Sequence, residues 1–151
     1  MREGESMVIG SFPDLCVGDV ATSVSWYTAL LDLDVLVDQG WYAELGVGGR
    51  IVVAFVQTGH ETVPWRAGRR PGGILVSFEV DDATSIAARA VALELDVVRD
   101  LTVELGQRHF MVVEPDGAVV DVIERVPMER RDLALLAALR RRHAETASSC
   151  R

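Results

Sequence analysis

Residues 114–124, Glu-Pro-Asp-Gly-Ala-Val-Val-Asp-Val-Ile-Glu, decide how this chain folds. Pro115, Asp116 and Gly117 are typical of a tight turn, because they supply a fixed φ, a side-chain acceptor and a positive φ. The apolar run that follows has one acid in its middle, Asp121, which is the pattern of a strand leaving a hairpin. A carboxylate among residues that prefer burial must be paired, hydrogen-bonded, protonated or exposed to a wet cavity. The surroundings of Asp121 are therefore the first functional question.

Composition limits the class of protein. The chain has 151 residues, 49% of them hydrophobic, which suffices for a sizeable core. The formal net charge is −8, and this acidic balance argues against a nucleic-acid partner. Cys16 and Cys150 cannot form a disulfide framework, and the sequence contains neither a signal peptide nor a membrane-spanning apolar run. We expect a cytoplasmic protein without nucleic-acid or membrane partners.

Two parts of the chain repeat each other. Residues 21–24 match 83–86 and residues 31–35 match 93–97, both at an offset of 62. Each copy has the order strand, helix, strand, strand, strand. A half-open sheet needs its second face covered, and the natural cover is the other copy. The sequence predicts an α+β fold in which two βαβββ modules form curved mixed sheets around a shared cavity.

The strand–turn–strand segments of the two copies also match. Residues 41–55 lie over 109–123 at an offset of 68, which aligns the turn at 48–49 with the turn at 116–117. This alignment pairs Val53 with Asp121.

Turn-rich and charged stretches set the boundaries between these parts. The stretch between the modules is basic and contains two prolines and four glycines, so we interpret it as a linker inside one domain. The prediction is a leader at 1–10, a single domain at 11–126 with modules 11–57 and 74–126 joined by linker 58–73, and a C-terminal helical extension and tail at 127–151.

The C-terminal extension has its own pattern. Leu133, Leu136 and Leu139 form an apolar stripe, and the Arg residues at 140–142 stand where the helix dipole favours cations. The stripe packs on its own domain or on a partner, and the sequence leaves both open.

Several motifs resemble one known family, the vicinal oxygen chelate superfamily, also called the glyoxalase/bleomycin-resistance/dioxygenase superfamily. The resemblance covers residues 11–126 and implies its two-module fold; its members often form homodimers. The superfamily includes isomerases, lyases, dioxygenases, transferases and drug binders, so the fold does not give the function. The motifs are 17–19 with Ser23 and 26–27 in the first half, and 78–82, 106–110 and 114–117 in the second.

The resemblance also implies where a metal would lie. Metal-dependent members hold a divalent cation with four inward side chains, usually His, Gln or Glu. The family pattern places these positions at Phe12, Val53, Leu75 and Asp121. Only Asp121 has a ligand atom, and a cation needs three or four ligands. We expect a member without the usual metal site and without a cofactor.

Strand alternation extends this set of inward positions. If the four positions point inward, so does every second residue of the same strands. An apolar lining with a few acids is typical of a small-molecule pocket and favours a neutral or cationic ligand. Trp41, Tyr42 and Trp65 are candidates to stack on it. The further inward positions are Asp14, Cys16, Ile51, Phe55, Ser77, Glu79, Val119 and Ile123. The predicted ligand contacts are Phe12, Asp14, Trp41, Val53, Phe55, Leu75, Ser77, Glu79, Arg108, His109 and Asp121.

Three functions remain open at this point. The preferred one is a metal-independent protein that binds or sequesters a hydrophobic small molecule, neutral or cationic, similar to the bleomycin-resistance branch. The alternative is a glyoxalase-like lyase, isomerase or dioxygenase acting on a small oxygenated substrate. Its general base would be Asp121, Glu79 or His109, although the sequence places no partner beside His109. The third is a domain that dimerises or regulates without a ligand.

Overall fold

The computed structural model describes residues 8–67 and 72–149, with side chains up to 142. Each half of the chain has one strand, one helix and three strands, so the predicted βαβββ repeat is confirmed. A C-terminal helix follows. The elements are β1 (Asp14–Val17), α1 (Val20–Leu31), β2 (Asp34–Asp38), β3 (Tyr42–Val47), β4 (Arg50–Gln57), β5 (Leu75–Glu79), α2 (Ala83–Ala92), β6 (Asp96–Glu104), β7 (Gln107–Val113), β8 (Val119–Arg125) and α3 (Arg130–Ser149).

The strands form two four-stranded sheets, which confirms the α+β fold class. The order is β1-β4-β3-β2 in the first sheet and β5-β8-β7-β6 in the second. In the first sheet β1 pairs parallel with β4, and the other pairs are antiparallel. The contacts divide the chain into two compact units, residues 1–76 with 113–119 and residues 77–112 with 120–151.

The two inner helices begin and end at equivalent residues. Asp19 Oδ1 accepts a hydrogen bond from the Ala21 amide at 3.0 Å, and Asp82 Oδ1 accepts one from the Ser85 amide at 3.0 Å. Each side chain thus satisfies a donor that the first helical turn leaves free. The chain leaves each helix through a left-handed residue, Asp32 and Glu94, both with φ 54°. The sequence repeat therefore includes the residues that cap the helix in each half.

The core of the first unit lies between α1 and one face of its sheet. The rings of Tyr27 and Phe55 lie 4.9 Å apart, and both side chains are fully buried. Leu15 and Val17 of β1 and Leu45 of β3 are buried with them. We name this face the helix-covered face and the opposite one the distal face.

The opening stretch forms the turn that its sequence predicts. Oε1 of Glu114 accepts hydrogen bonds from the amides of Asp116 (3.1 Å) and Ala118 (2.9 Å), and Gly117 has φ 96°. Asp116 Oδ1 accepts a hydrogen bond from the Gly18 amide at 2.9 Å. The turn is thereby attached to the end of β1 within the first unit.

The first module is predicted to begin at residue 11, and its first strand begins at Asp14, where ladder pairing with β4 starts. The terminal helix extends from Arg130 to Ser149, within the predicted extension at 127–151. Residues 1–7 of the predicted leader and 150–151 of the tail lie outside the described residues. In the described part of the chain no helix is long and apolar enough to cross a membrane.

Candidate functional site

The first sheet corrects the predicted inward set. β1 pairs Asp14 with Ala54 and Leu15 with Phe55. Paired residues share a face, so Phe55 and its alternate neighbour Val53 lie on the helix-covered face with Leu15. The prediction that Val53 and Phe55 share a face with Asp14 is therefore wrong.

The error has a physical cause in the hairpins. Two residues separate β3 from β4, whereas five separate β7 from β8, and β3 pairs with β4 through an irregularity at 45–46. Aligning the two turns thus shifts one strand by a residue and inverts its faces. The correct register places Ala54 rather than Val53 on the distal face.

Two carboxylates flank Ala54 on the distal face of the first sheet. Ala54 is paired with Asp14 on one side and with Glu44 on the other. The Tyr42 hydroxyl donates a hydrogen bond to Glu44 Oε1 at 2.8 Å. Among the described residues, no Arg or His forms an ion pair with either carboxylate. We call Asp14, Tyr42, Glu44 and Ala54 the acid pair site.

Neighbouring charges affect the pKa values of Asp14 and Tyr42. Partial burial and then the charge of Glu44 raise the pKa of Asp14. Burial, the hydrogen bond to Glu44 and the charges of Glu44 and Asp14 raise the pKa of Tyr42 to about 12. The site therefore concentrates negative charge that a cation would neutralise.

Connector residues border this face. The Cys16 thiol, on the distal face beside Asp14, donates a hydrogen bond to the Ala67 carbonyl oxygen at 3.1 Å. The His60 ring stacks on Trp41 at 3.8 Å between centroids, so one face of the predicted stacking residue Trp41 is already covered. Trp65 is 76% exposed, and the Arg66 guanidinium lies 5.4 Å from its ring centroid. Trp65 therefore keeps the larger aromatic surface available.

In the second sheet the acid Asp121 has a histidine partner. His109 is 5% exposed and Asp121 6%, and His109 Nδ1 lies 2.9 Å from Asp121 Oδ1. His109 Nε2 lies 2.9 Å from Glu104 Oε1, which Arg99 also contacts at 2.6 Å. Asp121 is thus paired, and the expectation that nothing stands beside His109 is wrong. We call Arg99, Glu104, His109 and Asp121 the histidine clamp.

The clamp holds a charged imidazole. Burial opposes protonation, but the hydrogen bonds and charges of Asp121 and Glu104 outweigh it and raise the pKa of His109. The hydrogen bond from His109, assisted by Arg99 and opposed by desolvation, lowers the pKa of Glu104. With both ring nitrogens donating to carboxylates, the imidazolium form is favoured.

The remaining predicted residues of the second sheet are distributed over both faces. Glu79 accepts a hydrogen bond from Arg125 at 2.9 Å, and strand alternation places Leu75, Ser77 and Glu79 on the face that carries Asp121. Arg108 contacts Glu124 at 2.7 Å, and Glu124 also accepts from the first amide of α2. Arg108, a predicted ligand contact, is therefore engaged on the helix side of the second sheet.

The side chains at the implied metal positions do not fit a metal site. Phe12, Val53 and Leu75 lack ligand atoms, and so does Ala54, which the register puts in the place of Val53. Asp121, the fourth position, is engaged by His109. Among the described residues no three His, Cys, Asp or Glu side chains converge as a metal centre would require.

Sequence reasoning missed Glu44 and Glu104. Glu44 alternates with Tyr42 on β3, so pairing β3 with β4 would have found it. Glu104 ends β6 just before the short turn into β7, so recognising the β6–β7 hairpin would have placed Glu104 near His109.

Comparisons with known proteins agree with this architecture. Residues 9–122 match the family model described as the glyoxalase/bleomycin resistance protein/dioxygenase superfamily. No curated protein matches the chain. Solved structures that resemble it include a protein of unknown function from Agrobacterium tumefaciens (25% identity, 83% of this chain and 100% of that one, TM-score 0.65). TioX from Micromonospora sp. ML1 has 23% identity over 78% and 100% of the chains, TM-score 0.63. Lactoylglutathione lyase from Agrobacterium tumefaciens has 17% identity over 79% and 96%, TM-score 0.59.

Proposed function

The chain belongs to the glyoxalase/bleomycin resistance protein/dioxygenase superfamily, and from this premise we propose that it binds and sequesters a hydrophobic cationic small molecule. The ligand is held on the distal face of the first sheet, and binding requires neither a metal nor a cofactor. The protein acts in the cytoplasm by removing the free ligand.

One observation carries this proposal. Asp14 and Glu44 stand on either side of Ala54 without a cation from the described residues, and alanine leaves only a methyl group between them. Burial and then the negative charge of Glu44 raise the pKa of Asp14, and a cation placed between the two carboxylates would relieve their repulsion. The ligand's cationic group would lie between the two carboxylates.

The aromatic part of the ligand has a candidate contact in the connector. Trp65 is largely exposed, and the connector reaches the distal face at Cys16. Indole surfaces stabilise planar or cationic groups by stacking. The family's small-molecule binders make this class of activity reasonable for the fold, and the acid pair site would supply the charge recognition.

The experiment is isothermal titration calorimetry with two probes of matched shape, 9-aminoacridine, which is a cation at neutral pH, and acridine, which is neutral. We expect 9-aminoacridine to bind at least tenfold more tightly. Asp14→Asn and Glu44→Gln should each weaken its binding at least tenfold, since each removes one carboxylate charge. Asp34→Asn, an exposed acid on β2, is the matched control and should change nothing. Equal affinity for the two probes would refute the charge-based proposal.

A second candidate function rests on the His109–Asp121 geometry. An aspartate on Nδ1 orients a histidine so that Nε2 can act as a general base, provided that Glu104 swings away from it and the ring loses the Nε2 proton that this carboxylate favours. A glyoxalase-like enzyme of this kind would exchange carbon-bound protons of a small carbonyl compound. Deuterium incorporation into hydroxyacetone in D2O, lost in His109→Asn, would support it. An exchange rate equal to that of buffer alone would exclude it for this substrate class.

A further inference from the structure

One region of the second unit exposes an unusual amount of apolar surface. It comprises the end of α2 and β6, which is an edge strand of the second sheet. An edge strand with exposed apolar side chains is normally covered or protected by charges, because it otherwise associates with other chains. The exposed large side chains are Val91, Leu93, Val98, Leu101, Val103 and Leu105. We call residues 91–105 with the adjoining α2 surface the α2–β6 patch.

The patch contains a groove that accepts side chains. Its cavity measures about 270 Å³ and has the buried Phe110 ring in its lining. Val91, 70% exposed, and Leu101 stand on opposite walls contributed by α2 and β6. The complete lining is Thr84, Ala87, Ala88, Val91, Val97, Asp100, Leu101 and Phe110. Groove and rim together offer a site for an apolar ridge.

The rim of the groove is acidic. Residues 91–105 carry Glu94, Asp96, Asp100 and Glu104 against Arg99 alone, a net charge of −3. Arg99 is engaged by Glu104 at 2.6 Å. An occupant of this groove should therefore be apolar along one stripe and basic beside it.

The C-terminal helix α3 of the same chain has this composition. Leu135 (51% exposed) and Leu139 follow each other by one helical turn and are both exposed. Residues 130–142 contain five Arg against Asp132, a net charge of +4. The helix is 20 residues long, which corresponds to about 30 Å.

We propose that the occupant is α3 of a second copy of this chain. Leu135 and Leu139 of each protomer enter the α2–β6 groove of its partner, and Arg140 and Arg141 face Glu94, Asp96 and Asp100. A two-fold axis makes the contact reciprocal, so each helix and each groove is used and the assembly closes as a dimer. The interface is independent of the acid pair site.

Sedimentation equilibrium of the full chain tests the apolar half of this interface. Val91→Asp and the double variant Leu135→Asp/Leu139→Asp should each weaken dimerisation at least tenfold, because each places a charge in an apolar contact. Val35→Asp, an exposed residue of β2 in the first unit, is the matched control and should dimerise normally. Circular dichroism verifies that every variant is folded.

A charge exchange tests which surfaces meet. Asp100→Arg alone and Arg141→Glu alone each oppose like charges in both contacts, so each variant should be mainly monomeric. A 1:1 mixture restores opposite charges in both contacts and should dimerise at least tenfold more tightly than either variant. A mixture no tighter than its components, or a wild-type chain that stays monomeric at 0.5 mM, would overturn the proposal. Loss of the dimer only with the α3 variant would point to helix–helix pairing and overturn it as well.

Discussion

Both sheets carry acids at comparable places, Asp14 and Glu44 beside Ala54 in the first and Asp121 in the second, but the partners of these acids differ. In the second sheet His109 pairs with Asp121 at 2.9 Å, and Glu104 and Arg99 complete the clamp. In the first sheet Asp14 and Glu44 flank Ala54 with no basic partner among the described residues. The two modules therefore differ in the partners that the described residues give to these acids. Under the proposed function, Asp121 stabilises its own sheet, whereas Asp14 and Glu44 are the better candidates for recognition.

The largest expected difference is in stability. Asp121→Asn should lower the free energy of unfolding by about 2 kcal/mol, because it leaves the buried His109 cation with a single carboxylate. Asp14→Asn should change it by less than about 0.5 kcal/mol, or raise it slightly, since it relieves the repulsion by Glu44. Urea unfolding of both variants measures this. Equal losses would remove the distinction between the two faces.

The histidine clamp should also give the protein a defined pH response. The pKa of His109 is raised in the folded state, so its stabilisation is complete below the unfolded value near 6.5 and disappears as pH rises through the folded pKa. We expect wild type to exceed His109→Asn by about 1 kcal/mol at pH 6, with the difference shrinking towards pH 9. The groups that face His109 are the carboxylates of Asp121 and Glu104. A difference that grows with pH would contradict the assignment.

Glu114 is a third kind of buried acid, because its carboxylate accepts hydrogen bonds from backbone amides instead of pairing with a cation. Burial is the main cause of its raised pKa, and two backbone amide donors oppose it. Stability from this group is therefore complete below its unfolded pKa of about 4.5 and is lost as pH rises through the folded pKa. Glu114→Gln should remove this loss, up to about 1 kcal/mol, while its amide oxygen keeps both hydrogen bonds. Urea unfolding between pH 4 and 8 checks it, and an unchanged pH slope would refute it.

The smallest effect is expected at the exposed pair of the second sheet. Glu79 and Arg125 are both more than half exposed, so water and salt screen their interaction. Glu79→Gln should change the unfolding free energy by less than about 0.5 kcal/mol and leave ligand binding unchanged. A loss comparable to that of Asp121→Asn would show that exposure does not separate these acids.

The fold could be predicted from the sequence because the residues that determine it act on their near neighbours in the chain. Asp19 and Asp82 cap their helices through amides two and three residues away, and 115–117 form a turn by their own residue types. These signals recur in both halves, so the repeat followed from the sequence.

The site was only partly readable because it depends on strand register. The observed register of β4 differs by one residue from the predicted one, which places Val53 and Phe55 on the face covered by α1. The sequence of β4 alone does not indicate this difference. His109 and Asp121 are 12 residues apart and meet across the β7–β8 hairpin. Counting outward from the Glu114–Ala118 hydrogen-bonded pair would have placed them within diagonal reach.

The most direct test of the account is an NMR titration of the ¹⁵N-labelled chain with 9-aminoacridine. We expect the amide shifts of Asp14, Glu44 and Ala54 to move with the ligand, while those of His109 and Asp121 stay unchanged. Shifts centred on His109 and Asp121, with none at Asp14 and Glu44, would contradict the central claim that Asp14 and Glu44 of the first sheet form the binding site.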